Sequence, residues 1–363
     1  MKISEIKQEI YSLKDGAYSN YQEAECPSKT ESCKGFFRSG CASLHFIFSE
    51  KENILFALLQ LAVVGLGYFL WTQMLNWIPQ EVWDEIKNDC DDGASILDII
   101  LLVWSFVCVG IVAYPLGILT SCMGASYILR FQGKPSTIAE CLKIVMHRSW
   151  TMWIFSWLDG WWTVLRILER LPKKNDRTPR SVKIRNEIIY QAWKMASLGF
   201  MPALICGRSV SEACKDSLSL LKNKFVQLAK LRLGYSAICW ILAIACYLGT
   251  FILMATTQII PKMGGEHNTI YSFYFITGFP IVVTLTFIMV IFRPIYIISA
   301  CRIYAFYTRE KNIEIKLPET SSKVISSLIA FTVLLIIIAV VVLYRDQLGL
   351  SEILANPWKI GTK

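Results

Sequence analysis

The chain has 363 residues, of which 54% are hydrophobic, 13% aromatic and only 18% charged, and its mean hydropathy is +0.44. A soluble domain carries roughly a quarter charged residues, so a soluble globule is excluded as a first reading. The 37 Lys and Arg against 28 Asp and Glu give a formal net charge of +9, but these charges flank apolar runs, which points to a membrane surface and away from nucleic acid.

Residues 1–52 read as a polar cytoplasmic tail ending in a juxtamembrane helix. No apolar core followed by a small-residue cleavage site marks them as a removable signal. The run from Ile54 to Ile78 is long enough to cross about 30 Å of hydrocarbon, and it carries Trp71 and Trp77 as interface residues. Further spans are predicted at Ile96–Leu129, Tyr235–Ile259, Tyr271–Ala300 and Val324–Tyr344. The expectation is thus an all-α integral membrane protein with about five transmembrane helices. A transmembrane hairpin occupies 53–130, a basic cytoplasmic region 131–233 and a second hairpin 234–300; a cytoplasmic loop (301–323) and a final span with an outside tail (324–363) follow.

Orientation follows from the bias of Lys and Arg toward cytoplasmic loops. Residues 79–95 hold Glu81, Asp84, Glu85, Asp89, Asp91 and Asp92 against Lys87 alone, and face outward. Residues 130–233 hold nineteen Lys or Arg against seven Asp or Glu, a surplus larger than that of the whole chain, and face inward. This alternation places the N-terminus in the cytoplasm. Only Cys90 falls in an outside loop, so no outside disulfide pair is available. Cys26, Cys33, Cys41 and His45 lack the paired CxxC spacing of structural zinc modules.

Two apolar stretches lie inside the basic middle. From Ser149 to Pro172 the helical period places Trp150, Trp153, Trp157, Trp161 and Val164 on one face, with Asp159, Arg166 and Arg170 opposite. Lys173 and Lys174 follow at once, and a crossing would carry this basic run outside. The expected geometry is therefore a helix lying in, or dipping into, the cytoplasmic interface, its Trp face on lipid or on the protein's own spans. The second stretch, Ile188–Cys206, is interrupted by Lys194 and Pro202 and completes a cytoplasmic interfacial or re-entrant hairpin. A weak repeat links Gly133, Lys134 and Ala139 to Gly207, Arg208 and Ala213, each set opening an amphipathic helix after an apolar segment.

In the second span Gly110, Ala113, Gly117, Ser121 and Gly124 recur in steps of three and four. Such a strip lets helices approach closely, most simply the first span through Gly65 and Gly67, while Pro115 bends the helix. HExxH, CxxC, GxSxG and GxGxxG are all missing, and the three histidines sit in separate segments. A lipid enzyme using His147 and Asp159 is the remaining catalytic reading. No cofactor or metal is expected.

Several of these segments carry a resemblance: FFRSGCASLHFIFSEKENILFALLQLAVVG before the first span, QGKPSTIAECLKIVMHR after the second, Trp193 nine residues before Pro202, and GRSVSEACKDSLSLLKNKF. Over about half its length, from Gly35 to Phe225, the chain resembles an uncharacterised family of bacterial multi-pass membrane proteins, a domain of unknown function. That family is distantly like the membrane domain of some glycerophosphodiester phosphodiesterases. The resemblance implies an all-helical membrane fold and supplies no reaction. The functional expectation is a non-enzymatic scaffold or accessory subunit of a bacterial inner-membrane complex, partnered by anionic lipid headgroups and by other proteins or its own copies. A channel or transporter is the alternative.

Overall fold

The computed structural model describes residues 43–75, 96–170, 180–257 and 279–313, with a few isolated positions beyond. Every regular element among them is helical. After a short helical segment at 43–49 come α1 (Lys51–Leu75), α2 (Ile96–Phe131), α3 (Ile138–Met146), α4 (Ser149–Arg170), α5 (Arg180–Ile205), α6 (Val210–Thr257) and α7 (Arg293–Glu310). A π-helical turn at Ile288–Phe292 leads directly into α7. Among the described residues four helices are long and apolar enough to cross a membrane: Lys51–Gln73, Leu102–Phe131, Val210–Leu253 and Phe279–Glu310. Apart from Val333 and Tyr344 the predicted fifth span lies outside the described residues, as do Cys26, Cys33, Cys41, Cys90, Lys173 and Lys174.

Two boundaries differ from expectation for local reasons. The fourth apolar helix continues ten residues past Ala300, to Glu310, because its polar extension keeps Tyr304, Ala305, Tyr307 and Thr308 buried. The amphipathic helix after Gly207 and the third span share one helix assignment, yet Lys224 (φ −121°, ψ 27°) breaks it in two. Before the break, Asp216, Ser219 and Lys224 meet Tyr304, Tyr307 and Glu310 in turn. After it, Tyr235 stacks on Tyr296, so the chain changes direction at Lys224.

The molecule divides into two compact units. The first comprises Met1–Leu61, Leu119–Ile144 and Arg177–Pro318. Here Phe46, Ile47 and Ile298 form a buried cluster flanked by Ile54, Tyr127 and Ile295, and Gly199 of α5 lies against Ser217 and Leu220 of α6. The repeat seen in the sequence has a conformational basis in this unit. Gly133 (φ 72°) and Gly207 (φ 77°) both adopt the left-handed conformation that ends a helix. Each closes the same pair of bonds: Gly133 N–H to Arg130 O and Lys134 N–H to Leu129 O, then Gly207 N–H to Leu204 O and Arg208 N–H to Ala203 O. A cap follows each turn. The Glu140 amide donates to Thr137 Oγ1 and the Glu212 amide to Ser209 Oγ, while Glu212 Oε2 accepts the Ser209 amide in a reciprocal box.

The second unit comprises Ala62–Ile118, Val145–Asp176 and Glu319–Lys363. In it α4 runs antiparallel alongside α2. Met152 and Ser156 face Gly117, Trp157 faces Gly110, and Gly160 faces Val109, so successive turns of one helix meet successive turns of the other. A helix lying flat across the end of α2 would touch it at one level only. The small-residue strip also finds partners other than the expected ones. Gly110 and Gly117 receive α4, and in the first unit Gly124 receives Ile205 of α5 and Cys301 of α7. Gly67 meets Val112, off the strip, and Gly65 meets nothing within 4 Å.

A methyl group on Gly124 would lie 2.8 Å from Ile205 Cδ1 and 2.9 Å from Cys301 Sγ. Gly124→Ala is expected to destabilise by about 1–3 kcal/mol, the usual range for an overpacked contact, whereas Gly65→Ala leaves stability unchanged or slightly higher through helix propensity. Thermal unfolding of both variants in detergent checks this; equal melting temperatures would be the contrary result.

Candidate functional site

Along α1 and its N-terminal joint, Glu50, Asn53, Ala57 and Gln60 follow in steps of three, four and three, which puts them on one helical face. All four are buried. Facing them in the first unit is a matching row on α2: Thr120, Met123, Ser126 and Arg130, each 7% exposed or less. The two rows interlock as a polar seam through otherwise apolar helices.

At one end the seam is ionic. Arg130 Nη2 lies 3.1 Å from Glu50 Oε1, Ser136 Oγ donates to Glu50 Oε2 at 2.8 Å, and Arg130 Nε donates to Ser136 Oγ at 3.1 Å. The three side chains close a triangle in which the serine hydroxyl accepts from the cation and donates to the anion. Position favours both charges: Glu50 precedes the N-terminus of α1 and Arg130 occupies the last turn of α2, each complementing its helix dipole. One turn further Ser126 Oγ donates to Asn53 Oδ1 at 2.8 Å. At the far end Gln60 Nε2 and Arg293 Nη2 both donate to Thr120 Oγ1, at 3.0 and 3.2 Å. Arg293 stands immediately after the π-helical turn, which rotates the following residues relative to a regular helix.

The seam is not fully satisfied. Asn53 Nδ2, Gln60 Oε1 and Ser121 Oγ are buried with no hydrogen-bond partner, and each such group costs about 1–3 kcal/mol. A second ionic group caps the first unit. Arg208 Nε lies 3.4 Å from Asp216 Oδ2, and the Tyr304 hydroxyl donates to the same oxygen at 3.3 Å. Lys224 pairs with Glu310 at 2.8 Å.

The sites read from the sequence fall elsewhere. Trp153 Nε1 donates to Gly110 O at 2.7 Å and Trp157 Nε1 to Phe106 O at 3.0 Å. Trp161 packs edge-on to Phe106, Trp153 stacks on Trp157 with centroids 5.4 Å apart, and Trp150 is the exposed member of the row. The Trp face is thus seated on α2 within its own unit. Arg166, expected on a free basic face, is buried and pairs with Glu169; the side chains of Arg170, Lys173 and Lys174 lie outside the described residues. His147 occupies the turn before α4, and Asp159 lies ten residues into that helix, about 15 Å along its axis, so the two do not converge. Among the described residues no three His, Cys, Asp or Glu side chains gather as a metal set. No protein-family model, curated protein or solved structure matches the chain.

Sequence reasoning missed the seam, although the spacing of Glu50, Asn53 and Gln60 on one face was visible. Removing one partner of a buried ion pair leaves an uncompensated charge, at about 3–5 kcal/mol. Glu50→Ala or Arg130→Ala is expected to incur that loss, while the double replacement Glu50→Met with Arg130→Met retains most of the stability; melting of the three proteins in one detergent measures the difference.

Cysteine chemistry offers an independent check on the packing. Burial pushes the Cys141 thiol up to about 12, and the nearby carboxylates of Glu52, Glu50 and Glu140 add to the rise. Cys214 is exposed. With maleimide at pH 7.5, peptide mapping should find Cys214 modified in the folded protein and Cys141 only after denaturation. Modification of both at equal rates would refute the burial of α3.

Proposed function

We propose that this chain is a multi-pass protein of a bacterial inner membrane, N-terminus in the cytoplasm, and that it serves as a non-enzymatic scaffold or accessory subunit of a membrane complex. The observation that carries the membrane part is α6. Its most apolar stretch has no residue buried within the protein, and Trp240, Ile241, Leu248, Phe251 and Ile252 are all exposed. A continuous apolar wall of that length is supported by hydrocarbon, since water would penalise it at roughly 25 cal/mol per Å². The orientation rests on the scarcity of Lys and Arg in residues 79–95, where Lys87 stands alone, and the bacterial assignment on the family resemblance. The scaffold reading is supported by how the buried charges are used: Glu50, Arg130 and Ser136 hold one another, and Asp216 holds Arg208 and Tyr304. Groups consumed in joining helices position surfaces for other molecules.

The chain should stay in the membrane pellet through alkaline carbonate and should copurify stoichiometrically with a protein partner from native membranes in mild detergent. Release by carbonate would end the membrane reading. Conduction is the second reading, favoured by the unpartnered Gln60 Oε1, Asn53 Nδ2 and Ser121 Oγ along the seam. A partnerless protein that moves a solute across liposomes, and stops doing so as Gln60→Leu, would put that reading first.

A further inference from the structure

The face of α4 turned away from α2 is apolar and bare. Trp150, Ile154, Leu158 and Leu165 follow in steps of four, four and seven, which puts them on one side of the helix, and all four are exposed. The charged flank is the enclosed one: Arg166 is buried and Asp159 half-buried, and both interact within the protein. A helix resting on a membrane surface keeps its charged flank in water; on α4 that flank is covered. The level of α4 is set by α2. Met152 and Ser156 face Gly117, and Gly160 faces Val109, so about eight residues along one helix match eight along the other in the opposite direction. At that register α4, 22 residues or about 33 Å long, has passed Leu102 by the time it reaches Arg170, and Leu102 is where the apolar span of α2 begins. In the same unit Val103 of α2 and Leu66 and Phe69 of α1 are exposed as well.

We propose that α4 crosses the bilayer beside α2, with Trp150, Ile154, Leu158 and Leu165 against lipid acyl chains, so that the residues after it emerge on the side from which α2 starts. This rests on the membrane reading above. The occupant of the bare face follows from continuity: α4 is packed over several turns against a segment of hydrocarbon-spanning length, so the medium around that segment also bathes its outer face. Asp159 and Arg166 conform, since ionisable side chains at membrane depth turn toward the protein interior and pair there. The inference reverses the side that the Lys and Arg bias gives residues 171–185, because that bias weighs loops and takes no account of a helix already seated on its neighbour. It also gathers opposite charges: the six basic residues from Lys173 to Arg185 join the six acidic ones of 79–95 on one side. Ile205, at the far end of α5, meets Gly124 near the end of α2, so the chain returns through α5, 26 residues or about 39 Å.

Two measurements on the full chain test this. Ser181, exposed near the start of α5, is replaced as Ser181→Cys, and intact spheroplasts are treated with a membrane-impermeant maleimide. Peptide mapping then compares it with two native thiols, Cys90, which precedes α2, and Cys214, which follows α5 and is exposed. Ser181→Cys should be modified under the same condition as Cys90, and Cys214 only under the opposite one, before or after permeabilisation. Modification of Ser181→Cys together with Cys214 overturns the proposal. The second measurement places a photoreactive side chain on the bare face, as Leu158→p-benzoylphenylalanine and separately Ile154→p-benzoylphenylalanine, both at exposed positions. Illumination of native membranes should add the mass of one phospholipid to the chain. A crosslink to a second copy or to another protein, or no adduct at either position, overturns the lipid assignment. A chain that stays in the carbonate pellet while Ser181→Cys follows Cys214 defeats this inference alone; one released by carbonate defeats the membrane reading beneath it.

Discussion

The carboxylate of Glu50 is 1% exposed, and the ends of α1, α2 and the turn before α3 meet around it through Arg130 and Ser136. An isolated buried charge costs several kcal/mol after relaxation, so Arg130 must stand opposite it, and Arg130 can do so only if α2 ends where it does. Ser136 then has to be delivered to the same point, which requires the chain to reverse within five residues of the helix end. The tight turn at Gly133 does this. One ion pair thereby sets the register of α1 on α2, the length of α2 and the start of α3. A buried pair of this kind is often no more stabilising than apolar side chains of equal volume; its consequence is that other registers leave a charge unpaired, which is a stronger discrimination than shape alone provides between smooth apolar helices.

The same reversal is used again where it is needed again. A long apolar helix that ends among other helices leaves four carbonyls without partners, and water cannot supply them in a packed bundle. Gly133 and Gly207 close theirs with identical bonds, and at the end of α7 Asn312 (φ 52°) does likewise, its amide donating to Arg309 O and that of Ile313 to Thr308 O. Asparagine tolerates this conformation better than other residues with a side chain. The first and third turns are also tied together, since Gln132 Nε2 donates to Ile315 O at 2.9 Å.

How much of this was legible follows from the range of each signal. Apolar length is local, so four of the predicted crossings appear as helices near their expected places. The repeat around Gly133 and Gly207 was visible as residue types and acquired its meaning only from the backbone. Partner identity is non-local. Glu50 and Arg130 are separated by eighty residues, and nothing in either segment names the other. The small-residue strip announces a close approach without saying what approaches, and α4 rather than α1 takes its outer half. Lys224 offered no signal, being neither Gly nor Pro; its break is held by the ion pair to Glu310 and by the packing of both halves on α7.

The Trp face of α4 shows why a stripe of one residue type does not identify its surroundings. An indole N–H needs an acceptor wherever it is placed, and at an interface water or a headgroup provides one. Alongside α2 the acceptors are the carbonyls of Gly110 and Phe106. They are reachable because Gly110 has no side chain, so that Trp157 packs directly against the helix backbone there. With their N–H groups supplied in this way, Trp153 and Trp157 no longer require a wet boundary, and α4 can follow an apolar helix over several turns. Of the two settings that the Trp stripe allows, lipid or the protein's own helices, Trp153 and Trp157 take the second, with their indole N–H groups on the backbone of α2.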